Sequence, residues 1–180
     1  MTLLTILEYP DPRLRTIAEE VTTFGEELKK FVALMFETMY QAKGIGLAAS
    51  QVDHHYRVIV IDISDEKNDP ICLINPKIIK SEGKTSYEEG CLSVPNFFEK
   101  VERAEKITVN YQSLEGSECE MEADGLLAIC IQHEMDHLIG KLFVDYLSTL
   151  KRNKFKKLLE KRLKNTDTED FQDQAGRKAI

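Results

Sequence analysis

Hydrophobic positions along the chain follow two periods, and each predicts its own kind of element. Leu28, Val32, Met35, Met39 and Ala42 recur every three or four residues, the spacing that lines one face of a helix. Thr23-Phe24-Gly25-Glu26 before them has the form of a capping box, and Gly44 stands where such a helix would stop. Upstream, Asp11-Pro12 predicts a helix start, with Asp as N-cap and Pro in the first turn. Residues 57–63 form a β-branched run long enough for a buried strand. Residues 71–76 and 77–79 are further short strand candidates, with Pro76 marking an edge or a bend. Ile107, Val109 and Tyr111 alternate with polar neighbours. Across Glu115-Gly116, Cys119 and Met121 alternate with Glu118, Glu120 and Glu122, which predicts an antiparallel pair with one wet, acidic face. A second helix is expected from Asp124, its N-cap, to about Ile139, with Gly140 past its end. Its apolar residues, from Leu126 and Leu127 to Leu138 and Ile139, cover nearly the whole circumference, so it is expected to lie buried in the middle of the domain. Strands clustered between two principal helices give an α+β fold, with antiparallel β-sheets packed around that central helix.

Composition narrows the class. A chain of 180 residues with 42% hydrophobic and 31% charged positions is long enough for one domain with its own core. A net charge of −7 argues against a general nucleic-acid binder. No apolar run approaches a membrane span, and Glu8 interrupts the N-terminal stretch too early for a signal peptide, so a cytoplasmic location and no membrane partner are expected. Cys72, Cys91, Cys119 and Cys130 form no CxxC pair. They are expected to be free thiols, with Cys72 and Cys119 acting as small buried hydrophobes. The charge is uneven. Eight Lys and Arg between 148 and 164 face a single acid, Glu160, and Phe155, Leu158, Leu159 and Leu163 fall among them at helical offsets. The expected organisation is a body at 1–147, a basic amphipathic helix at 148–164, and a polar, disordered tail at 165–180.

The candidate chemistry lies on the second helix, in Gln132-His133-Glu134-Met135-Asp136-His137. His133 and His137 are four residues apart, so both imidazoles leave one helix face and can bind one metal ion. Glu134 between them is placed to act as general base on a water that the metal acidifies. Polar side chains inside an apolar helix are costly without strong partners, and a metal is such a partner. The third ligand is less direct. Phe143 occupies the position where a metzincin has its third histidine; Asp145 is close in sequence, and Glu160 lies in the basic segment. A distant soft ligand remains, and Cys91 is the best candidate. His54 and His55, in a polar turn, are expected to be solvent-exposed.

Three motifs, in order, closely resemble those of bacterial peptide deformylases. They are Gly44-Ile45-Gly46-Leu47-Ala48-Ala49-Ser50-Gln51, Glu89-Gly90-Cys91-Leu92-Ser93 and Gln132-His133-Glu134-Met135-Asp136-His137-Leu138. The resemblance runs to about residue 150. It implies a divalent metal, Fe²⁺ in the native state and replaceable by Ni²⁺, Co²⁺ or Zn²⁺, held by Cys91, His133 and His137. It implies a substrate, the N-formyl group on the first methionine of a nascent polypeptide. It also implies roles: Glu134 as general base and acid, with the Gln51 amide and the Leu92 backbone N–H as oxyanion donors. Ile45 and Gly46 would pair with the peptide as an added strand, and the methionine side chain would enter a pocket of Ile45, Tyr87, Leu126, Ile129, Cys130 and the His133 ring. The chain departs from close relatives at Tyr87, where they often have an aliphatic residue, and at Phe98, where they often have Arg. Glu89 and Arg103 are candidates for an ion pair that steadies the metal loop. The basic helix suggests ribosome docking, and a monomer is expected. Two other readings stay open at this stage: a metal-dependent amidase or protease of different specificity, and a non-catalytic metal protein that docks on ribosomes.

Overall fold

The computed structural model describes residues 3–165 and 179–180, with elements in the order α1 (Glu26–Gln41), β1 (Gly46–Ala48), β2 (Val58–Ile61), β3 (Ile71–Glu82), β4 (Thr85–Cys91), β5 (Val94–Arg103), β6 (Lys106–Gln112), β7 (Glu118–Asp124), α2 (Gly125–His137) and α3 (Thr149–Asn165). The β-branched run expected around residue 60 organises the layers. On β2, Ile59 and Ile61 face a buried cluster containing Ala128, Ile129, Cys130 and Ile131 of α2, while Val58 and Val60 face a second cluster with Val32, Met35 and Met39 of α1. A strand covered by a helix on each face needs apolar residues at every position, which is why this run does not alternate. Five strands form one antiparallel sheet in the order β1-β2-β3-β6-β7, and β4 and β5 form a separate antiparallel pair. The architecture is thus a mixture of helices and antiparallel sheets.

Several local expectations change. No side chain caps α1; it starts behind Gly25, because Thr23 lies too far upstream to reach its first turn. The left-handed residue that ends it is Lys43, with φ of 58°, not Gly44. The Asp11-Pro12 start is a single 3₁₀ turn, Pro12–Arg15, whose Asp11 carboxylate accepts from the Arg13 N–H. Residues 71–79 are not two short strands but the first part of the continuous β3. The register slips between Ile74 and Lys77, and Asn75 takes a φ of 51°. Pro76 therefore sits in a bulge of an interior strand, where no ladder donor is required of it. α2 ends at His137, and Ile139 is exposed rather than buried. Cys72 and Cys119 are only half-buried. His54 is exposed and stacks on Phe31, and His55 is half-buried beside Asp53.

The pattern did not indicate β4 and β5. Their hairpin packs against a third cluster formed by Leu142, Phe143, Val144 and Leu147, and closed by Phe155 of α3. The Phe155 ring lies 4.7 Å from that of Phe97 and 5.2 Å from that of Tyr9, so the basic helix is docked on the body. Leu163 and residues 166–178, most of the expected tail, lie outside the described side chains. Ala179 and Ile180 depart from the tail expectation: Ala179 pairs with Gly44, and Ile180 is buried. No helix among the described residues is long and apolar enough to cross a membrane.

Candidate metal centre

α2 sets His133 and His137 one turn apart, with ring centroids separated by 5.1 Å. The β4–β5 hairpin brings Cys91 to them from elsewhere in the chain, and its Sγ lies 3.3 Å from His137 Nε2. The thiol and one nitrogen from each ring fall within 4.8 Å of one another, all three residues being buried. The His133 ring is also held from behind. Glu89 accepts from His133 Nδ1 at 2.8 Å, which fixes that ring's tautomer and leaves Nε2 to the site. Arg103 in turn grips both Glu89 oxygens, at 2.7 and 2.9 Å, and donates to Asp136 at 2.6 Å, with the Tyr146 ring 4.7 Å from its guanidinium. The expected Glu89–Arg103 pair is therefore present, within a larger network that includes a candidate ligand. Gln132 joins α2 to the end of the hairpin, donating to the Ala104 carbonyl and accepting from the Ala104 N–H.

Burial governs the electrostatics. It pushes the Cys91 thiol up, with the Glu134 carboxylate adding to the effect, and it pushes His137 well below the ordinary imidazole range. Burial, then the Glu89 charge, holds Glu134 well above the usual carboxyl range. At Glu89 burial works in the same direction but is outweighed by the hydrogen bonds from Arg103 and His133, and the carboxyl settles at about 2. Among the described residues His133 Nε2, His137 Nδ1 and both Glu134 oxygens have no hydrogen-bond partner. Buried polar atoms are rarely left so, and protein groups alone disfavour charge at this point. A divalent cation reverses that balance, because its ligands are thiolate and neutral imidazole. The residues fit such an ion.

The other expected site residues divide into two sets. Gln51 is fully buried in the turn after β1; its carbonyl oxygen accepts from the Ala48 N–H at 2.7 Å. This turns its amide nitrogen toward Ser93 Oγ at 3.1 Å and Cys91 Sγ at 3.6 Å. Leu92 lies in the two-residue turn that follows Cys91. Gly46 is a glycine for a steric reason: a Cβ there would stand 2.5 Å from Glu134 Oε1 and 2.8 Å from Cys130 Sγ. Ile45, Ile129 and Cys130 share one buried cluster, with Leu126 packed against it. Leu126 also lines an open depression of about 660 Å³ that contains none of the candidate ligands. Tyr87 is 39% exposed on β4 and is not in that cluster. Phe98 lies against Gly90, where any Cβ would meet its ring, so this departure is accommodated by packing. Asp136, Tyr146 and Ser93 were not anticipated. Their roles depend on contacts 33, 43 and 42 residues apart in sequence, and no local spacing signals these.

A family model described as polypeptide deformylase matches residues 3–153. A peptide deformylase of Pseudoalteromonas translucida is 56% identical over 164 residues, 91% of this chain and 98% of that protein. One from Acinetobacter baumannii is 55% identical over 170 residues, 94% and 97% respectively. The crystal structure of a peptide deformylase from Legionella pneumophila superposes with a TM-score of 0.88 at 46% identity, covering 94% of this chain and all of that one.

Proposed function

The chain belongs to the polypeptide deformylase family, metal-dependent hydrolases that remove the N-formyl group from the N-terminal methionine of new polypeptides, and we propose that Cys91, His133 and His137 hold its metal while Glu134 moves the proton. The observation that carries this assignment is the convergence of one thiol and two imidazoles within 4.8 Å, with two partnerless Glu134 oxygens beside them. A divalent ion bound there supplies an acidified water and a Lewis acid for the formyl carbonyl. Glu134 takes the proton from the attacking water and later delivers it to the departing α-amine, as formate leaves. The Gln51 amide, held by Ala48, and the Leu92 N–H donate to the oxygen that becomes negative when the carbon turns tetrahedral. Ile45 and Gly46 carry the peptide backbone, and Ile45, Leu126, Ile129 and Cys130 receive the methionine side chain, with Tyr87 at the rim.

The HExxH-bearing α2 is the catalytic core of a body at 1–147. From the resemblance to the family we read the metal as Fe²⁺, and the thiolate and imidazole donor set suits Ni²⁺, Co²⁺ or Zn²⁺ equally. The enzyme acts as a cytoplasmic monomer, and its basic helix, 148–164, rests on ribosomal RNA. The deciding experiment is formate release from formyl-Met-Ala-Ser by protein prepared anaerobically with Fe²⁺ or reconstituted with Ni²⁺. Glu134→Ala should keep its metal and lose roughly 10²–10⁴-fold in kcat. A folded, metal-loaded wild type that released no formate would overturn the assignment.

A further inference from the structure

β1 is the edge strand of the five-stranded sheet, and the chain just before it offers one outward hydrogen-bond donor. The Ile45 carbonyl is already engaged by the Asp62 N–H, 2.9 Å away. The Ile45 N–H instead donates to the Ala179 carbonyl at 3.2 Å, and Gly44 and Ala179 form a parallel bridge. Ile180, the next residue, is 2% exposed and belongs to the cluster that holds Ile45, Ile129 and Cys130. An extended backbone on a sheet edge with one aliphatic side chain buried beside it is the arrangement a peptide adopts when it binds by strand addition. Neighbouring sequence does not explain it, because residues 165–178 are almost entirely polar.

We propose that Ala179 and Ile180 occupy, in cis, the groove that receives the formylated peptide, so that the chain competes with its own substrate. The inference rests on the reading of Ile45 and Gly46 as the peptide-binding edge. Ala179 takes the backbone position of the incoming peptide, and Ile180 takes apolar space meant for methionine. Thirteen residues separate the helix end at Asn165 from Ala179, so Ala179 and Ile180 meet the groove as part of the same chain rather than as a second molecule at bulk concentration. Even a weak intrinsic fit then fills the groove for much of the time. Substrate binds only the open fraction, so KM rises by the inverse of that fraction while kcat at saturation is unchanged. A peptide with methionine at the critical position displaces the segment more readily than others do, because the flexible thioether fits an irregular pocket better than a β-branched side chain.

Two full-length variants, Ile180→Asp and Ile180→Gly, test this in metal-loaded protein. The first opposes burial with a charge, and the second removes the side chain without adding one. Formyl-Met-Ala-Ser kinetics should show KM falling by about three- to tenfold in both, with kcat within twofold of wild type. Hydrogen exchange at the Ile45 amide should be slow in wild type and at least tenfold faster in both variants. Unchanged KM with normal formate release overturns the proposal, whether or not the Ile45 amide becomes exposed. Unchanged Ile45 exchange also overturns it, by showing that the segment does not protect that edge. If no protein in the series releases formate, the assignment of activity has failed as well. The exchange measurement needs no turnover, and it separates that failure from loss of the segment's contact.

Discussion

Two groups of charged side chains in this protein face opposite conditions. Behind the candidate metal centre Glu89, Arg103 and Asp136 lie largely out of water, and every oxygen of Glu89 is engaged by Arg103 or His133. On α3, Lys154, Lys157 and Lys161 stand exposed on one face, while Lys151 reaches Glu99 at 2.6 Å. The inner group pairs opposite charges out of water, and the outer one sets like charges in it. In a buried, low-dielectric site a charge without its partner is expensive, so the inner group fixes geometry and can hold a ligand ring within tenths of an ångström. Exposed lysines keep most of their hydration and cost the fold little, and they stay available for a partner. Each charged group can be tested by removing one member and asking whether stability or function responds.

The largest expected effect on stability is at Arg103. Arg103→Ala leaves the Glu89 carboxylate buried with only His133 as a partner, and should cost about 3–5 kcal/mol, read from urea unfolding of the metal-loaded enzyme. Arg103→Lys should fall between wild type and alanine, because an ammonium cannot reproduce the two-pronged grip and reach Asp136 at once. A loss below about 1 kcal/mol for the alanine variant would mean that water enters and screens Glu89, and the contrast between the two charged groups would collapse.

Glu89→Gln is the next test, and it sharpens the functional side of the comparison. The amide keeps the shape but loses the charge that polarises the His133 imidazole. Metal affinity should drop about 10–100-fold in competition with a chelator, and activity at limiting metal should drop with it. Unchanged metal retention and unchanged turnover would assign the network to folding alone.

This inner network also marks where the sequence stops being legible. HExxH on an apolar helix, the strand through Val58–Ile61 and the β6–β7 pair could be read because each has a local signature: helical spacing, an unbroken β-branched run and alternation. The β4–β5 hairpin has none. Ser86, Tyr87 and Glu88 are all exposed and the buried position after them is taken by the charged Glu89, so no apolar alternation marks the strand, and the hairpin is held by the Arg103 contacts and by Phe143 and Phe155 from distant elements. The pair Glu89–Arg103 could be guessed from resemblance, but its link to Asp136 exists only once α2 is docked. Ile180 was hidden for a related reason: a single apolar residue after a polar stretch carries no pattern, and its burial depends on an edge more than 130 residues away.

A smaller effect is expected at Asp145, which lies between the two extremes of exposure. Its carboxylate takes two hydrogen bonds from Arg15 and accepts from the Leu142 N–H at 2.9 Å, holding the turn that carries Phe143. Burial pushes its pKa up, but Arg15 and the Leu142 N–H outweigh burial, leaving it below the ordinary value of 3.8. A carboxyl depressed on folding stabilises the protein above its unfolded pKa, and that contribution is lost as pH falls through the folded value. Asp145→Asn should therefore cost about 1 kcal/mol or less at pH 7, after allowance for solvent screening, and the gap from wild type should shrink below about pH 4. A gap that stayed constant down to acid pH would assign the effect to lost hydrogen-bond geometry rather than to charge.

The exposed lysines should give the smallest effect on stability and, on the ribosome reading, a clear effect on binding. Replacing Lys154, Lys157 and Lys161 together by alanine removes no buried contact, and alanine favours a helix at least as well as lysine. The melting temperature should stay within about 1–2 °C, because Phe155 continues to anchor α3. Turnover of a short formylated peptide should be unchanged, since none of the three lysines approaches the metal centre. If the face rests on RNA, each lysine on a phosphate steepens the salt dependence of binding by about 0.7–0.9 in log–log slope, so the triple variant should flatten that slope by about 2. Equal ribosome affinity for wild type and variant at low salt would leave the lysines as a solvated face whose only partner is water. A loss of peptide turnover together with ribosome binding would show that the helix acts through the body instead, and the separation between an inner, geometric charge group and an outer, associative one would fail.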